Sequence, residues 1–103
     1  MIPLTVTVLK SLQEKTIGLL KAKKAHPVLL KTRFGIHTFG MKFPIDVVVL
    51  DKEDTVVTLV ENLYPNLIFV WPPRFDTIIE LPGGEIRKNG IVVGKKIQLI
   101  PLT

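Results

Sequence analysis

Hydrophobic and polar positions change their period several times along the chain, and each change marks an element. Leu4-Thr5-Val6-Thr7-Val8 alternates, which predicts an opening strand with Leu4, Val6 and Val8 turned inward. Ser11-Leu12-Gln13-Glu14 then has the form of a capping box: the Ser11 hydroxyl accepts from the Glu14 amide while the Glu14 side chain reaches back to the Ser11 amide. Leu12, Thr16, Leu19 and Leu20 follow at i, i+4, i+7 and i+8. That spacing predicts an amphipathic helix, with Lys15, Lys21, Lys23 and Lys24 mostly off its apolar face. Gly18 weakens it by about 1 kcal/mol relative to Ala. The helix should stop before His26-Pro27, because proline disfavours helical geometry in the preceding residue.

Strand patterns then take over. Val28-Leu29-Leu30 is a short strand, Thr38–Met41 a candidate one, and Ile45–Asp51 the strongest. Thr55–Val60 returns after the turn Asp51-Lys52-Glu53-Asp54, making a hairpin of residues 45–60. Asn62–Asn66 reads as a loop, Leu67–Trp71 as a strand ended by Pro72-Pro73, and Phe75–Leu81 as a strand ended by Pro82-Gly83-Gly84. Glu85–Asn89 fits one helical turn with Gly90 as its left-handed cap, or alternatively an Asn89-Gly90 hairpin turn. The final strand runs from Lys95 or Lys96 to Leu102. No linker, repeat or low-complexity stretch interrupts this series, so we expect one domain over residues 1–103.

Composition supports a mainly β reading. Val, Ile and Thr make up 32 of 103 residues while Ala occurs twice, and β-branched side chains suit a pleated, half-buried surface. A hydrophobic content of 47% against 22% charged is that of a globular chain, not a disordered one. The longest apolar runs, Val47–Leu50 and Leu67–Trp71, fall far short of the ~20 residues a membrane-spanning helix needs. There is no cysteine, which removes disulfides, thiol nucleophiles and thiolate metal sites. Residues 1–10 lack the basic and apolar regions of a secretion signal, so the expected compartment is reducing and cytoplasmic.

The net charge of +5 is unevenly placed. Residues 1–33 carry seven bases (Lys10, Lys15, Lys21, Lys23, Lys24, Lys31, Arg33) against Glu14, and the rest is nearly balanced. A footprint for phosphate backbones is one reading of this segment; a solvated lysine-rich face is the favoured one. All seven aromatics (Phe34, Phe39, Phe43, Tyr64, Phe69, Trp71, Phe75) lie outside the basic cluster, whereas single-strand binders interleave rings with cations.

The densest chemistry lies in residues 37–46, where His37, Thr38, Met41, Lys42 and Asp46 accompany Gly40. Asp46 interrupts an apolar run, and an unpaired core carboxylate is costly. It must meet a partner, face a cleft or point outward. His37 and Asp46 could form an oriented acid/base pair. The favoured alternative makes Asp46 a clamp, since no serine, cysteine or nucleophile elbow stands nearby. Glu80 is a second acid in an apolar strand; alternation favours the solvent face, although a shared pocket with Asp46 would make a carboxylate pair. Trp71-Pro72-Pro73-Arg74-Phe75 could grip a ring or peptide, or simply pack as a strand end. His26 and His37 are the only histidines, eleven residues apart, so neither a metal nor a cofactor is expected.

The run from His37 to Asp51 resembles the signature of a widespread family, domain of unknown function 192 (also uncharacterised protein family 0127). Gly18-Leu19-Leu20, Glu80-Leu81-Pro82-Gly83-Gly84 and Gly90-Ile91-Val92-Val93-Gly94 extend the resemblance over roughly residues 4–100. It implies a small β-rich, often barrel-like domain with no assigned activity, whose relatives often carry export signals. The matching positions are His37, Thr38, Met41, Pro44, Asp46, Glu80 and Gly84. Lys42 stands where arginine is common, Asp54 where glycine is usual and Lys95 where aspartate is usual.

The expected architecture is therefore a strongly bent sheet or partly open β-barrel (mainly β, α+β) with one N-terminal helix and a short C-terminal helical turn. The leading functional expectation is a non-enzymatic domain binding a small ligand or protein at a polar–aromatic mouth. His37, Thr38, Met41, Lys42, Asp46, Trp71 and Arg74 would line it, across residues 37–46 and 71–75, with Glu80 as a further ligand-binding candidate. The alternative is a small acid/base or hydrolytic enzyme using His37 and Asp46 with Glu80. Weak nucleic-acid association through Lys10–Arg33 is the third.

Overall fold

The alternating segments pair into a sheet that curls until its two edges meet. The computed structural model describes residues 1–9 and 27–102. Its elements are β1 (Ile2–Val8), β2 (Val28–Lys31), β3 (Gly35–His37), β4 (Ile45–Leu50), β5 (Val56–Leu63), β6 (Ile68–Val70), β7 (Thr77–Pro82), α1 (Glu85–Lys88) and β8 (Ile97–Pro101). The helix predicted from Ser11 lies outside the described residues. Six strands form one sheet in the order β5-β4-β7-β2-β1-β8, and β3 pairs with β6 in a separate ribbon. Strand β1 runs parallel to both β2 and β8; the other pairings are antiparallel.

The edges β5 and β8 are stitched at one corner. Thr55 bridges Lys96, Val56 N donates to Lys95 O (2.9 Å), Gly94 N to Val56 O (2.9 Å) and Ile97 N to Asp54 O (2.8 Å). The result is a curled half-barrel. Asp54 turns this corner at φ 63, a left-handed conformation that aspartate tolerates better than most residues.

Curling gives the sheet two buried faces. Inside lie Leu4, Val6, Val48, Leu50, Ile79 and Leu81, closed by Ile86, Ile91 and Ile97. Outside, Val28, Leu30, Ile45, Val47, Val49 and Ile78 form a second cluster, onto which the ribbon packs Ile36 and Phe69. All six residues of β4 are buried, which explains why only Asp46 interrupts its apolar run.

Four expectations are corrected. Thr38–Met41 is a turn, and the strand precedes it at Gly35–His37, because the Thr38 carbonyl accepts from Met41 N (3.1 Å) and Gly40 takes φ 84. Strand β5 runs through Leu63, since Asn62 at φ 53 bulges the strand without ending it. Strand β7 starts at Thr77, because Phe75 N closes a turn onto Pro72 O (3.1 Å). Val8 is exposed: β8 pairs with β1 only as far as Val6, so the interior ends there. The choice left open at residues 85–90 falls to the helical turn, with Gly90 at φ 66 and Ile91 N bonded to Ile86 O.

Candidate functional site

Asp46 sits on the interior face of β4, in register with Leu81, and is wholly buried. Its Oδ1 accepts from Asn62 N (2.9 Å) and its Oδ2 from Ile86 N (2.8 Å). The bulge in β5 turns the Asn62 amide toward the carboxylate. The Ile86 amide belongs to the first turn of α1, where carboxylates are favoured. A Cβ on Gly83 would stand 2.9 Å from Asn62 Oδ1 and 3.2 Å from the Pro44 carbonyl, and Gly84 precedes α1 at φ 92. Asp46, Asn62, Gly83 and α1 are thus one welded corner. The carboxylate holds it as a clamp between elements distant in sequence.

His37 is elsewhere. It lies on the ribbon, exposed, with Nδ1 accepting from Phe39 N (3.2 Å) and its ring stacked on Phe39 at 4.9 Å. The ribbon covers the outer face of the sheet while Asp46 faces inward, so the sheet itself lies between them. Glu80 pairs in register with Val28 and Val47 on the outer face, opposite in sense to Asp46. The two carboxylates do not share a pocket. Nor does Glu80 face solvent as alternation suggested: it is 8% exposed, because the outer face carries a core of its own. Burial pushes its pKa from 4.5 up to about 7. Among the described residues, no three His, Asp or Glu side chains converge on a possible metal position.

Thr38 is fully buried and joins two loops. Its Oγ1 accepts from Leu67 N (2.9 Å) and donates to Tyr64 O (2.7 Å), and its backbone bonds Leu67 O and Asn66 N. Met41 packs against the outer cluster, and Lys42 is exposed on the same loop. Trp71 and Arg74 lie at the other end of the ribbon, where Trp71 N bonds Phe34 O. Trp71 is buried, its Nε1 donating to Phe75 O (2.8 Å), and the Arg74 guanidinium lies 4.8 Å over the Phe75 ring. Three clefts meet at Arg74 and Phe75: one of about 300 Å³ beside Lys31, Arg33 and Asp76, an open groove of about 570 Å³ beside Val57, Val70 and Pro72, and one of about 370 Å³ beside Asp51, Lys52 and Glu53. The structure therefore puts His37–Lys42 and Trp71–Arg74 at two ends of one ribbon, while Asp46 and Glu80 lie off it in the sheet.

One surface was missed by sequence reasoning. The ribbon with its flanking loops, residues 33–45 and 64–75, contains every aromatic residue of the chain, three cations and no acid. Seven of its large apolar side chains are exposed, including Phe34, Phe39, Tyr64, Ile68 and Val70. The clustering of rings between residues 34 and 75 was the available signal.

A family model described as uncharacterised ACR, DUF192, matches residues 2–99. The chain belongs to the DUF192 family. No curated protein matches it in sequence. Two solved structures share its fold. A protein of unknown function from Novosphingobium aromaticivorans DSM 12444 superposes with a TM-score of 0.76 at 15% identity, over 88% of this chain and 71% of that one. A protein from Sinorhizobium meliloti 1021, described as a candidate transcription regulator, superposes with a TM-score of 0.78 at 18% identity, over 88% and 78%. Within this DUF192 chain, the resemblance positions Thr38, Asp46 and Gly84 all take part in loop or corner geometry.

Proposed function

We propose that this DUF192 protein is a non-enzymatic binding domain and that the β3–β6 ribbon with its loops is its binding element. The observation carrying this reading is the acid-free ribbon, which gathers all seven aromatic rings and leaves Phe34, Ile68 and Val70 more than 60% exposed. Exposed apolar side chains so concentrated in one element mark interaction surfaces. Of the expected mouth, residues 37–45 and 71–75 belong to its two ends, and Asp46 does not. The enzymatic alternative has less support: Asp46 spends both oxygens on backbone amides, and His37 and Glu80 lie away from it.

Pull-downs comparing the wild-type protein with an Ile68→Ser/Val70→Ser variant test the reading. Both substituted side chains face solvent, so the variant should remain folded while losing partners that the wild type retains. Identical partners for both proteins would overturn it. So would turnover of any substrate that disappears in His37→Ala, measured across several pH values.

A further inference from the structure

The interior of the half-barrel reaches the surface at one end. Among the described residues, the cleft of about 300 Å³ is that opening: Leu29, Leu50 and Leu99 line it, and all three belong to the inner cluster or pack against it. Lys31, the last residue of β2, and Thr77, the first of β7, pair in register at its lip. The rim is completed by loops carrying Arg33, Lys52 and Arg74 with Asp51, Asp54 and Asp76. We infer that this mouth binds a small amphipathic anion, its apolar body against the leucines and its carboxylate or phosphate head among the rim cations. Neither Ile68 nor Val70 lines the cleft, so the inference goes beyond the ribbon reading.

The charges select an anion once their partners are followed. Asp51 Oδ1 accepts from its own turn, from Glu53 N (2.8 Å) and Thr55 N (3.0 Å). Asp76 lies 3.9 Å from both Lys31 Nζ and Arg33 Nη2, so it answers two cations at once. Arg74 and Lys52 have no carboxylate within 4.0 Å among the described residues, and Asp54 is the one lining acid left to set against them. A positive surplus therefore stands at the mouth. Arg74 lies over the Phe75 ring at 4.8 Å, a contact that uses the face of the guanidinium and leaves its edge N–H groups for an oxyanion. Neighbouring cations are already positioned: Lys31 Nζ donates to Thr77 Oγ1 (2.7 Å) and Arg33 Nη1 to Pro73 O (3.1 Å). Such ordering lowers the cost of binding. Size and place agree, since small-molecule sites begin at roughly 300 Å³ and favour the mouths of β-barrels. An apolar wall under a cationic rim asks for a ligand with both halves; a purely polar anion would leave the leucines wet.

The test is titration of the ¹⁵N-labelled protein with octanoate, octyl phosphate, octanol and octylammonium, followed by amide shifts. Both anions should move residues 29–33, 50–54 and 74–77 and bind tighter than octanol by about tenfold. The tighter of the two names the head. Shortening octanoate to hexanoate should weaken binding about tenfold, because two methylenes leave the apolar wall. Arg74→Gln, at an exposed position, should weaken both anions by about tenfold and leave octanol unchanged. Ile68→Ser/Val70→Ser should bind octanoate as the wild type does. Octanol or octylammonium binding as tightly as octanoate would overturn the inference, as would octanoate shifts confined to residues 35–45 and 64–70. If octanoate moves no amide while the ribbon variant still loses its partners, the anion site fails and the ribbon reading stands. If octanoate binds as described while the ribbon variant keeps every partner, the ribbon reading fails and the anion site stands.

Discussion

Asp46 and Glu80 are acids one strand apart, yet the sheet gives them opposite circumstances. Asp46 is buried with both oxygens bonded to amides, whereas Glu80 is buried beside valines. Replacing Asp46 by Asn puts an NH₂ against one of the two amides and leaves that donor unpaired in the core. We expect Asp46→Asn to cost about 2–4 kcal/mol, read as a lowered urea midpoint at unchanged slope. A loss under 0.5 kcal/mol would mean that the clamp is dispensable. Glu80 predicts a pH effect of definite sign. Its pKa is about 7 in the fold against 4.5 as the ordinary value, so the folded state binds its proton more tightly. Its contribution is fully favourable below pH 4.5, declines as pH rises to about 7 and is flat above. The decline is about 3 kcal/mol, and Glu80→Gln should remove it from urea titrations made across that range. A variant with the same pH slope as wild type would exclude Glu80 as the source. Sequence revealed that both acids interrupt apolar strands; it did not reveal which face of each strand was dry.

Strands β4 and β7 are central and buried on both faces, while the ribbon is short and attached by one face. Native-state hydrogen exchange should therefore be slowest at Val47–Val49 and Ile78–Leu81 and faster by orders of magnitude at Ile36 and Phe69. Equal protection would mean that ribbon and sheet open as one unit. Gly35 sets how closely the ribbon strands approach, since a Cβ there would lie 2.6 Å from Phe69 O. Gly35→Ala must push β3 from β6 and should cost about 1–3 kcal/mol, with amide shifts confined to residues 34–38 and 67–71 in a two-dimensional NMR spectrum. Elements of six or more residues were legible from periodicity. Of the three-residue strands, Ile68–Val70 falls within the predicted Leu67–Trp71, but Gly35–His37 carries too few positions for a period to emerge, and its pairing with Ile68–Val70 depends on the Thr38 bonds at one end and the Trp71–Phe34 bond at the other.

Closure joins the ends of the chain. Ile2–Val6 pair in parallel with Ile97–Pro101, so the half-barrel is complete only when its most distant segments meet. Long-range pairing of this kind makes folding slow, and refolding after a urea jump should take roughly milliseconds to seconds. Microsecond refolding would contradict it. Removing β8 should unfold the chain, because it strips β1 of a neighbour and uncovers the interior around Ile97; native-like circular dichroism without residues 95–102 would refute that. By itself the sequence determined a β-rich chain, its longer strands, the Asp51–Asp54 turn and its family resemblance, because those follow from local periodicity, turn chemistry and a contiguous motif. Only the tertiary structure decided that the sheet is dry on both faces, that Asp46 is a clamp and Glu80 a buried acid, and that His37 stands apart from both. It also decided that rings scattered over forty residues share one ribbon. These properties depend on which strands become neighbours and how far the sheet curls, and that is set by pairings between segments that carry no mark of one another.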